Sequence, residues 1–422
     1  MNGEIFVRLK NSPIISIHEH IYPERCMKEP PNLTQIIQSS YLYSDLVSSG
    51  MQRKAWEQSV LKEKIDPSPP PAPQLKEMVE AMKKTRATTY YHTLLLGLKE
   101  LYEIESLNEK NWNELGQKIN DKRSKKGLER YVFDLANVEL ALEDNFWSLA
   151  DFDFPEEYFT PVFRVDRLLQ SSDPDFVNKK GLRASELAER WGIDISTFSG
   201  YCEMVDKSLE EAKKSGSVAL KIALAYYRSL NFEKCCVNEA ENIYKLRNKS
   251  NDEKFCDYMV HHVLKQCEEN LKLPALIHTG IQTRNANILA NSDPKLLNPL
   301  FLEYPGVDFV ILHAGYPFSR DAAVMAKNFP NVYLDVTWLP MITGSGYKNL
   351  LREFLELVPA NKIVWGSDSY NVEQMLGHVR LFRRLTSEAL TEIVDEKFLS
   401  IDEAVEIGEW IFKENALTIF NL

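Results

Sequence analysis

No stretch of this sequence is apolar enough to span a membrane, and the opening Met1 to Lys10 carries no run of signal-peptide length. Cysteine is scarce for 422 residues: six, at Cys26, Cys202, Cys235, Cys236, Cys256 and Cys267, with no CxxC pair. That spacing excludes a disulfide framework and fits reduced thiols of a cytoplasmic protein, mostly in packing roles. Cys235 and Cys236 are adjacent and cannot readily point at one ion. No GxxxxGK[ST] loop occurs, and Gly344-Ser345-Gly346 lacks the context of one, so a phosphate-cradling NTPase is excluded. A serine hydrolase is excluded for want of a nucleophile elbow. Positive charge is in deficit, with 50 Lys and Arg against 61 Asp and Glu, a net charge of −11. The basic residues are dispersed, which argues against nucleic acid and against an anionic membrane surface. A small-molecule substrate is the partner that remains.

What is present is a repeated pattern of short apolar runs alternating with longer helical ones. The runs predict strands at 14–20, 138–143, 158–165, 218–225, 274–279, 307–313, 332–337 and 363–368. Eight strands in βα units are the number that closes a (β/α)8 TIM barrel, so residues 1–422 are read as one α/β unit. Helices are predicted at 201–214, 252–270, 319–328 and 347–357, the last with Leu350, Leu351, Phe354, Leu355 and Leu357 on one face. The connection after the first strand is far longer than one helix needs. It carries helical patterns at 33–48, 51–63, 74–103 and 111–121, then a first barrel helix near 126–136. Pro67, Pro69, Pro70, Pro71 and Pro73 interrupt it as a stiff hinge. About 25–122 is therefore expected to be a helical cap, which must lie over the carboxyl face of the barrel and wall the substrate pocket. An oligomer contact is an equally compatible use of it.

Four of the eight histidines end predicted strands: His18 and His20 on the first, His278 on the fifth and His313 on the sixth. Asp368 ends the eighth. Alternation puts His18 and His20 on one side of their strand and Glu19 on the other. An isolated HxH is weak evidence. With His278 and Asp368 it makes a three-nitrogen, one-oxygen set with room for water, as in a catalytic divalent-metal site. The ion is expected to be zinc or manganese. A metal lowers the pKa of water, and the aspartate beside it can take the proton.

These motifs together resemble the amidohydrolase superfamily, in its amidohydrolase-2 branch, over nearly the whole chain. The resemblance makes His18, His20, His278 and Asp368 metal ligands, and places His313 on the substrate or on a second ion. Leu276-Ile277-His278-Thr279-Gly280 through Ile311-Leu312-His313-Ala314-Gly315-Tyr316-Pro317 is similar to the amidohydrolase-like domain fused to glutamine synthetase in some fungal and plant proteins. A weaker resemblance, to uronate isomerases, covers Tyr91-His92-Thr93-Leu94-Leu95-Leu96, Pro161-Val162-Phe163-Arg164-Val165-Asp166, and Asp368-Ser369-Tyr370 through Arg383-Arg384. Two departures count against isomerase activity: Tyr370 stands where the isomerases have arginine, and they lack the Leu-His-Ala-Gly pattern around His313. Lys221, on the fourth strand, corresponds to the lysine that is carboxylated and bridges two metals in binuclear relatives. It either does so here or reaches the pocket as a free amine that pairs with a substrate acid or Asp368. The amine reading, and with it one ion rather than two, is preferred.

The remaining histidines, His261 and His262 on one helix and His378 on another, read as surface or packing residues. His92 is a candidate for the pocket. Arg164 and Arg167 close the third strand, where either could clamp a substrate carboxylate or sit in a rim salt bridge. Tyr316 and Trp338 are candidate pocket walls. The leading functional expectation is a metal-dependent hydrolase, with activated water attacking an amide, ester or lactone carbonyl of a small acidic molecule. Asp368 would shuttle the proton, and His313 or a second metal would polarise the oxygen. Sugar-acid isomerisation and decarboxylation are the alternatives within the superfamily. A metal-stabilised binding scaffold is the non-enzyme alternative.

Overall fold

Eight parallel strands, each paired to the next in sequence order, form the centre of the chain. They are β1 (Ile14–Glu19), β2 (Val138–Asp144), β3 (Phe159–Arg164), β4 (Ala219–Ile222), β5 (Ala275–His278), β6 (Phe309–Leu312), β7 (Val332–Asp335) and β8 (Ile363–Val364). The structure, a computed structural model, describes residues 3–61, 73–144, 157–177, 182–247, 250 and 252–422. Beyond the β8 ladder, β1 and the segment after β8 are joined by Ile17 N–H to Trp365 O (3.2 Å), Asp368 N–H to His18 O (2.8 Å) and His20 N–H to Ser369 O (3.0 Å). These bonds draw the sheet into a (β/α)8 TIM barrel, as predicted.

The apolar runs divide between two cores. Ile15, Ile17, Leu142, Val162, Ala219, Leu276, Val310, Leu312 and Val364 fill the barrel interior, and Ala416, Ile419 and Phe420 of the terminal helix Asn415–Phe420 pack on them. The alternate residues, such as Ile14, Phe163, Ile277 and Ile311, face the surrounding helices in a larger core. Simple alternation would send Glu19, not its neighbours, inward after Ile15 and Ile17. A register shift between Ser16 and Glu19 breaks the alternation. A bulge of this kind re-aims the side chains beyond it.

Several elements are shorter than predicted. β4 stops at Ile222 because the Asp166 carboxylate takes the Ala223 N–H (2.7 Å), and a 3-10 turn, Leu224–Tyr226, follows. β8 has only two ladder residues, since the chain turns away before Asp368, whose φ is +50°. The predicted helix 33–48 is two helices, Leu33–Ser39 and Leu42–Ser48, separated at Ser40 in an extended conformation. The pattern at 74–103 likewise divides into Leu75–Lys84 and Thr89–Tyr102, the second capped by the Thr88 hydroxyl. The remaining helices between β1 and β2 are Arg53–Leu61, Trp112–Arg123 and Leu128–Ala136. Pro67, Pro69, Pro70 and Pro71 of the expected hinge lie outside the described residues. Among those described, no helix is long and apolar enough to cross a membrane.

The inserted helices are joined to the barrel's outer layer by a backbone-to-backbone crossing. Gly97 on Thr89–Tyr102 meets Gly377 on Val372–Asp395, the helix after β8. A Cβ at Gly97 would sit 1.8 Å from the Glu373 carbonyl oxygen, and one at Gly377 1.9 Å from that of Thr93. Beside the crossing, the buried Glu373 carboxylate accepts from Arg123 Nε (2.9 Å) and the Tyr102 hydroxyl (2.6 Å). Gly97→Ala should therefore destabilise the chain by roughly 1–3 kcal/mol or more in denaturant unfolding, the cost of overpacking. Gly116→Ala, at a helical glycine with nothing within 4 Å of its added carbon, should instead stabilise by about 0.5–1 kcal/mol.

Candidate metal centre

At the carboxyl ends of the strands, three of the predicted ligands converge. His18 Nε2 lies 3.6 Å and His20 Nε2 3.5 Å from Asp368 Oδ1. One ligand atom from each of the three lies within 4.8 Å of the others, and all three residues are buried. His313 is adjacent, its Nδ1 4.0 Å from Asp368 Oδ2. His278 is held differently: its Nε2 is 3.2 Å from the Ile281 carbonyl, and its Nδ1 is 3.1 Å from His313 Nε2. It is a neighbour of the trio through His313, so the expected four-ligand set appears as three convergent residues and a linked fourth. Lys221 Nζ is 3.0 Å from His18 Nε2 and 4.0 Å from Asp144 Oδ2. Its acidic neighbour within ion-pair reach is thus Asp144, where the sequence reading named Asp368.

The donor chemistry fits a cation. A carbonyl can only accept, so the 3.1 Å contact of His20 Nδ1 with Asp144 O puts the ring hydrogen on Nδ1. His20 Nε2 then presents a lone pair towards the Asp368 carboxylate. Two acceptors buried face to face are satisfied by a positive ion between them, and the outward-held N–H is the usual arrangement of a ligating histidine. Burial pushes the ring of His20 down to about 3, and those of His18, His278 and His313 well below the ordinary imidazole value. All four are therefore neutral and able to ligate. Burial raises Asp368 to about 6 against the Tyr41 hydrogen bond and the nearby Lys221. Burial also brings Lys221 down to about 8, partly opposed by Asp144. Near neutral pH such an amine is mostly charged, as pairing with an acid requires, and keeps a minor uncharged fraction, as carboxylation requires.

The backbone at this face is strained. His313, Trp338 and Asp368, just after β6, β7 and β8, have φ of +64°, +68° and +50°. Left-handed conformations at such residues cost about 1–3 kcal/mol each and collect where function over-determines the geometry. Trp338, expected as a pocket wall, has its ring 5.2 Å from His313 and 4.5 Å from Tyr41. Tyr370 stacks on His20 at 5.3 Å, and the Tyr226 ring lies tilted against His278 at 4.7 Å. Tyr41, from the insertion, donates to the Asp368 carbonyl at 2.8 Å.

Other expected residues lie elsewhere or are otherwise engaged. Arg164 pairs with Asp144 (3.2 Å) and Asp166 (3.3 Å), the salt-bridge reading of the two offered. His92 is exposed and lines a surface cavity of about 560 Å³ with Tyr90, Thr343 and Arg384. Tyr316 is partly buried beside β5, its carbonyl accepting the Ile281 N–H at 2.6 Å; among the described residues no ring contact joins it to the four histidines. His261 and His262 bond Tyr304 and Asp206, and His378 is buried with its Nδ1 2.5 Å from the Ser367 carbonyl. Asp144, Tyr41 and Tyr226 had no place in the sequence reading. Asp144 was discoverable, since it ends β2 as Asp368 follows β8.

Comparison with known proteins finds likenesses over parts of the chain. Residues 247–422 match the amidohydrolase family model. That match spans the carboxyl-terminal part of the chain, from before β5 to the last helix. The chain is 32% identical over 151 residues to Protein fluG of Emericella nidulans, a match covering 35% of this chain and 17% of that protein. Over 283 residues it is 24% identical to the uronate isomerase of Thermotoga maritima, covering 62% of this chain and 61% of the isomerase. In structure it is similar to a uronate isomerase from Thermotoga maritima, with a TM-score of 0.78, 16% identity and coverage of 99% of this chain and 96% of the other. A glucuronate isomerase from Caulobacter crescentus gives a TM-score of 0.78 at 18% identity, covering 99% and 93%. At such identities the structural likeness establishes the shared (β/α)8 barrel fold and no more.

The two kinds of ligand should titrate separately. Asp368 is ionised above about 6 and binds a proton below it, whereas the imidazoles are neutral throughout that range. Metal affinity should fall as pH drops through about 6, with no further inflection near the ordinary histidine value. Zinc competition titrations between pH 5 and pH 8 check this, and Asp368→Asn should remove the dependence.

Proposed function

We propose that this chain is a metal-dependent hydrolase acting on an amide, ester or lactone of a small acidic molecule. The observation that carries the reading is the buried approach of His18, His20 and Asp368, with a lone pair and a carboxylate aimed at one point. When bound, the divalent ion supplies Lewis acidity, polarising a carbonyl oxygen and making water more acidic. His18 and His20 would hold it through Nε2, with His278 and His313 as the adjoining nitrogen donors. Zinc suits the nitrogen-rich set, and one ion is preferred because, among the described residues, one convergent trio of His and Asp is found.

Asp368 has the character of a proton carrier. Held near 6, it is mostly ionised at neutral pH yet basic enough to accept a proton from the attacking water and return it to the leaving group. His313 Nδ1, 4.0 Å from the carboxylate, is the second group within reach of that proton. Trp338, Tyr370 and Tyr41 keep bulk water from the centre, which strengthens each electrostatic contact inside it.

Uronate isomerisation is the second reading, favoured by the whole-chain likeness to two isomerases. There Asp368 would carry a proton between adjacent carbons. Tyr370 weighs against it, because an aromatic ring stacks on His20 where the isomerases have arginine. Metal analysis followed by a screen of N-acyl amino acids, lactones and uronates separates the readings: hydrolysis releases an acid, whereas isomerisation changes no bond count and is read by NMR. Asp368→Asn should lower kcat by about 10²–10⁴-fold on whichever substrate is turned over, with a much smaller change in KM. Near-wild-type turnover in that variant would remove Asp368 as the base and leave His313.

A further inference from the structure

We propose that Glu19, between the two histidines of β1, is the positioning residue that sets the distance from that pair to Asp368. The proposal rests on the reading of His18, His20 and Asp368 as a metal centre. Glu19 points away from the centre and is inaccessible to solvent. Its Oε1 accepts the hydroxyls of Ser16 and Ser367, each at 2.5 Å, and its Oε2 accepts the Ser369 N–H at 2.9 Å. Ser16 Oγ in turn accepts the Ser367 N–H at 2.8 Å. Ser367 and Ser369 flank Asp368. One carboxylate, itself flanked by His18 and His20, therefore grips both neighbours of the third ligand.

The segment needs such a grip. Its ladder with β7 ends at Val364, and Asp368 then adopts a left-handed conformation. Past that point its other supports include backbone bonds to β1, the Tyr41 hydroxyl on the Asp368 carbonyl (2.8 Å), and the contacts of His378 with the Ser367 carbonyl (2.5 Å) and Ser369 Oγ (3.2 Å). A ligand set tolerates little misplacement, and groups that orient ligands usually matter to metal affinity by about 10–100-fold. Glutamate suits the place because three donors converge on it. A glutamine has one carbonyl oxygen and would turn its amide hydrogens towards at least one of them. Glu19 thereby uses the bulge at Ser16–Glu19: the residue on the outer side of the histidine pair becomes the clasp.

The test is metal affinity, with activity not required. Wild type, Glu19→Gln, Ser367→Ala and the double variant are stripped of metal, checked for folding by circular dichroism, and titrated with zinc against a chromophoric chelator. Glu19→Gln should bind about 10–100-fold more weakly. Ser367→Ala should lose less, and the double variant should be no worse than Glu19→Gln, because the two remove one shared interaction. Cobalt(II) in place of zinc should show altered visible bands in Glu19→Gln, a change that a merely structural role would not produce. Wild-type affinity in Glu19→Gln, or strictly additive losses, would overturn the proposal. If Glu19→Gln does not fold, Ser367→Ala decides: unchanged affinity and cobalt spectrum overturn it. A wild-type chain that takes up no zinc would instead sink the metal-centre reading itself, and the clasp with it.

Discussion

Asp368 is a carboxylate almost without access to water, and the arrangement of the barrel mouth follows from that. An ionised carboxylate withdrawn from solvent is costly unless charge or hydrogen bonds replace the water. Here the replacements come from separate strands: Lys221 from β4, Arg164 from β3 and the Tyr41 hydroxyl from the insertion. The same burial keeps His18, His20, His278 and His313 neutral, so four imidazoles can stand close together without repulsion. Dryness thus does two things at once. It keeps the nitrogen donors uncharged, and it holds Asp368 near 6, mostly ionised at neutral pH.

Local backbone devices bring these groups together. A regular parallel strand would have sent Glu19 into the barrel and the histidines into the helical layer. The register shift after Ser16 reverses this, and left-handed residues after β6, β7 and β8 turn His313, Trp338 and Asp368 inward. The strain of those turns is sustained by close packing. Behind the strand ends, a Cβ at Gly366 would lie 2.6 Å from His18 N, and one at Gly280 2.3 Å from the Tyr316 carbonyl oxygen. No larger residue fits at either position without moving the backbone that carries a candidate ligand.

The features that were legible in the sequence are those written in one dimension. An apolar run ending in His or Asp marks a strand and a site residue together, so the barrel, the His18–His20 pair, His313 and Asp368 could all be read. Residues whose role depends on a partner far along the chain could not. Tyr41 reaches Asp368 across 327 positions, and Glu19 reaches Ser367 across 348. Arg164 could be read as a clamp or a salt bridge, and only the positions of Asp144 and Asp166 decide between them. His92 follows a resemblance in sequence, yet its place on the helix Thr89–Tyr102 leaves it outward, while its neighbour Tyr91 is buried. The ends of β4 and β8 were overestimated for a related reason. Apolar residues continue past both strands, but there they pack in turns.

The insertion after β1 supplies what the barrel strands lack. Eight strand ends can present ligands, but they leave the mouth open to water. Tyr41 closes it by contacts on several sides: its hydroxyl on the Asp368 carbonyl, and its ring 4.5 Å from Trp338, 5.5 Å from Tyr90 and stacked at 6.0 Å on His378. His378 bonds the same Ser367 that Glu19 holds. The aromatic layer above Asp368 and the carboxylate clasp beside it are therefore one continuous set of contacts. Water exclusion and ligand spacing are coupled through it. A change that loosened Tyr41 would reach the metal centre along two routes, by raising the local polarity and by freeing the backbone on which Asp368 is carried.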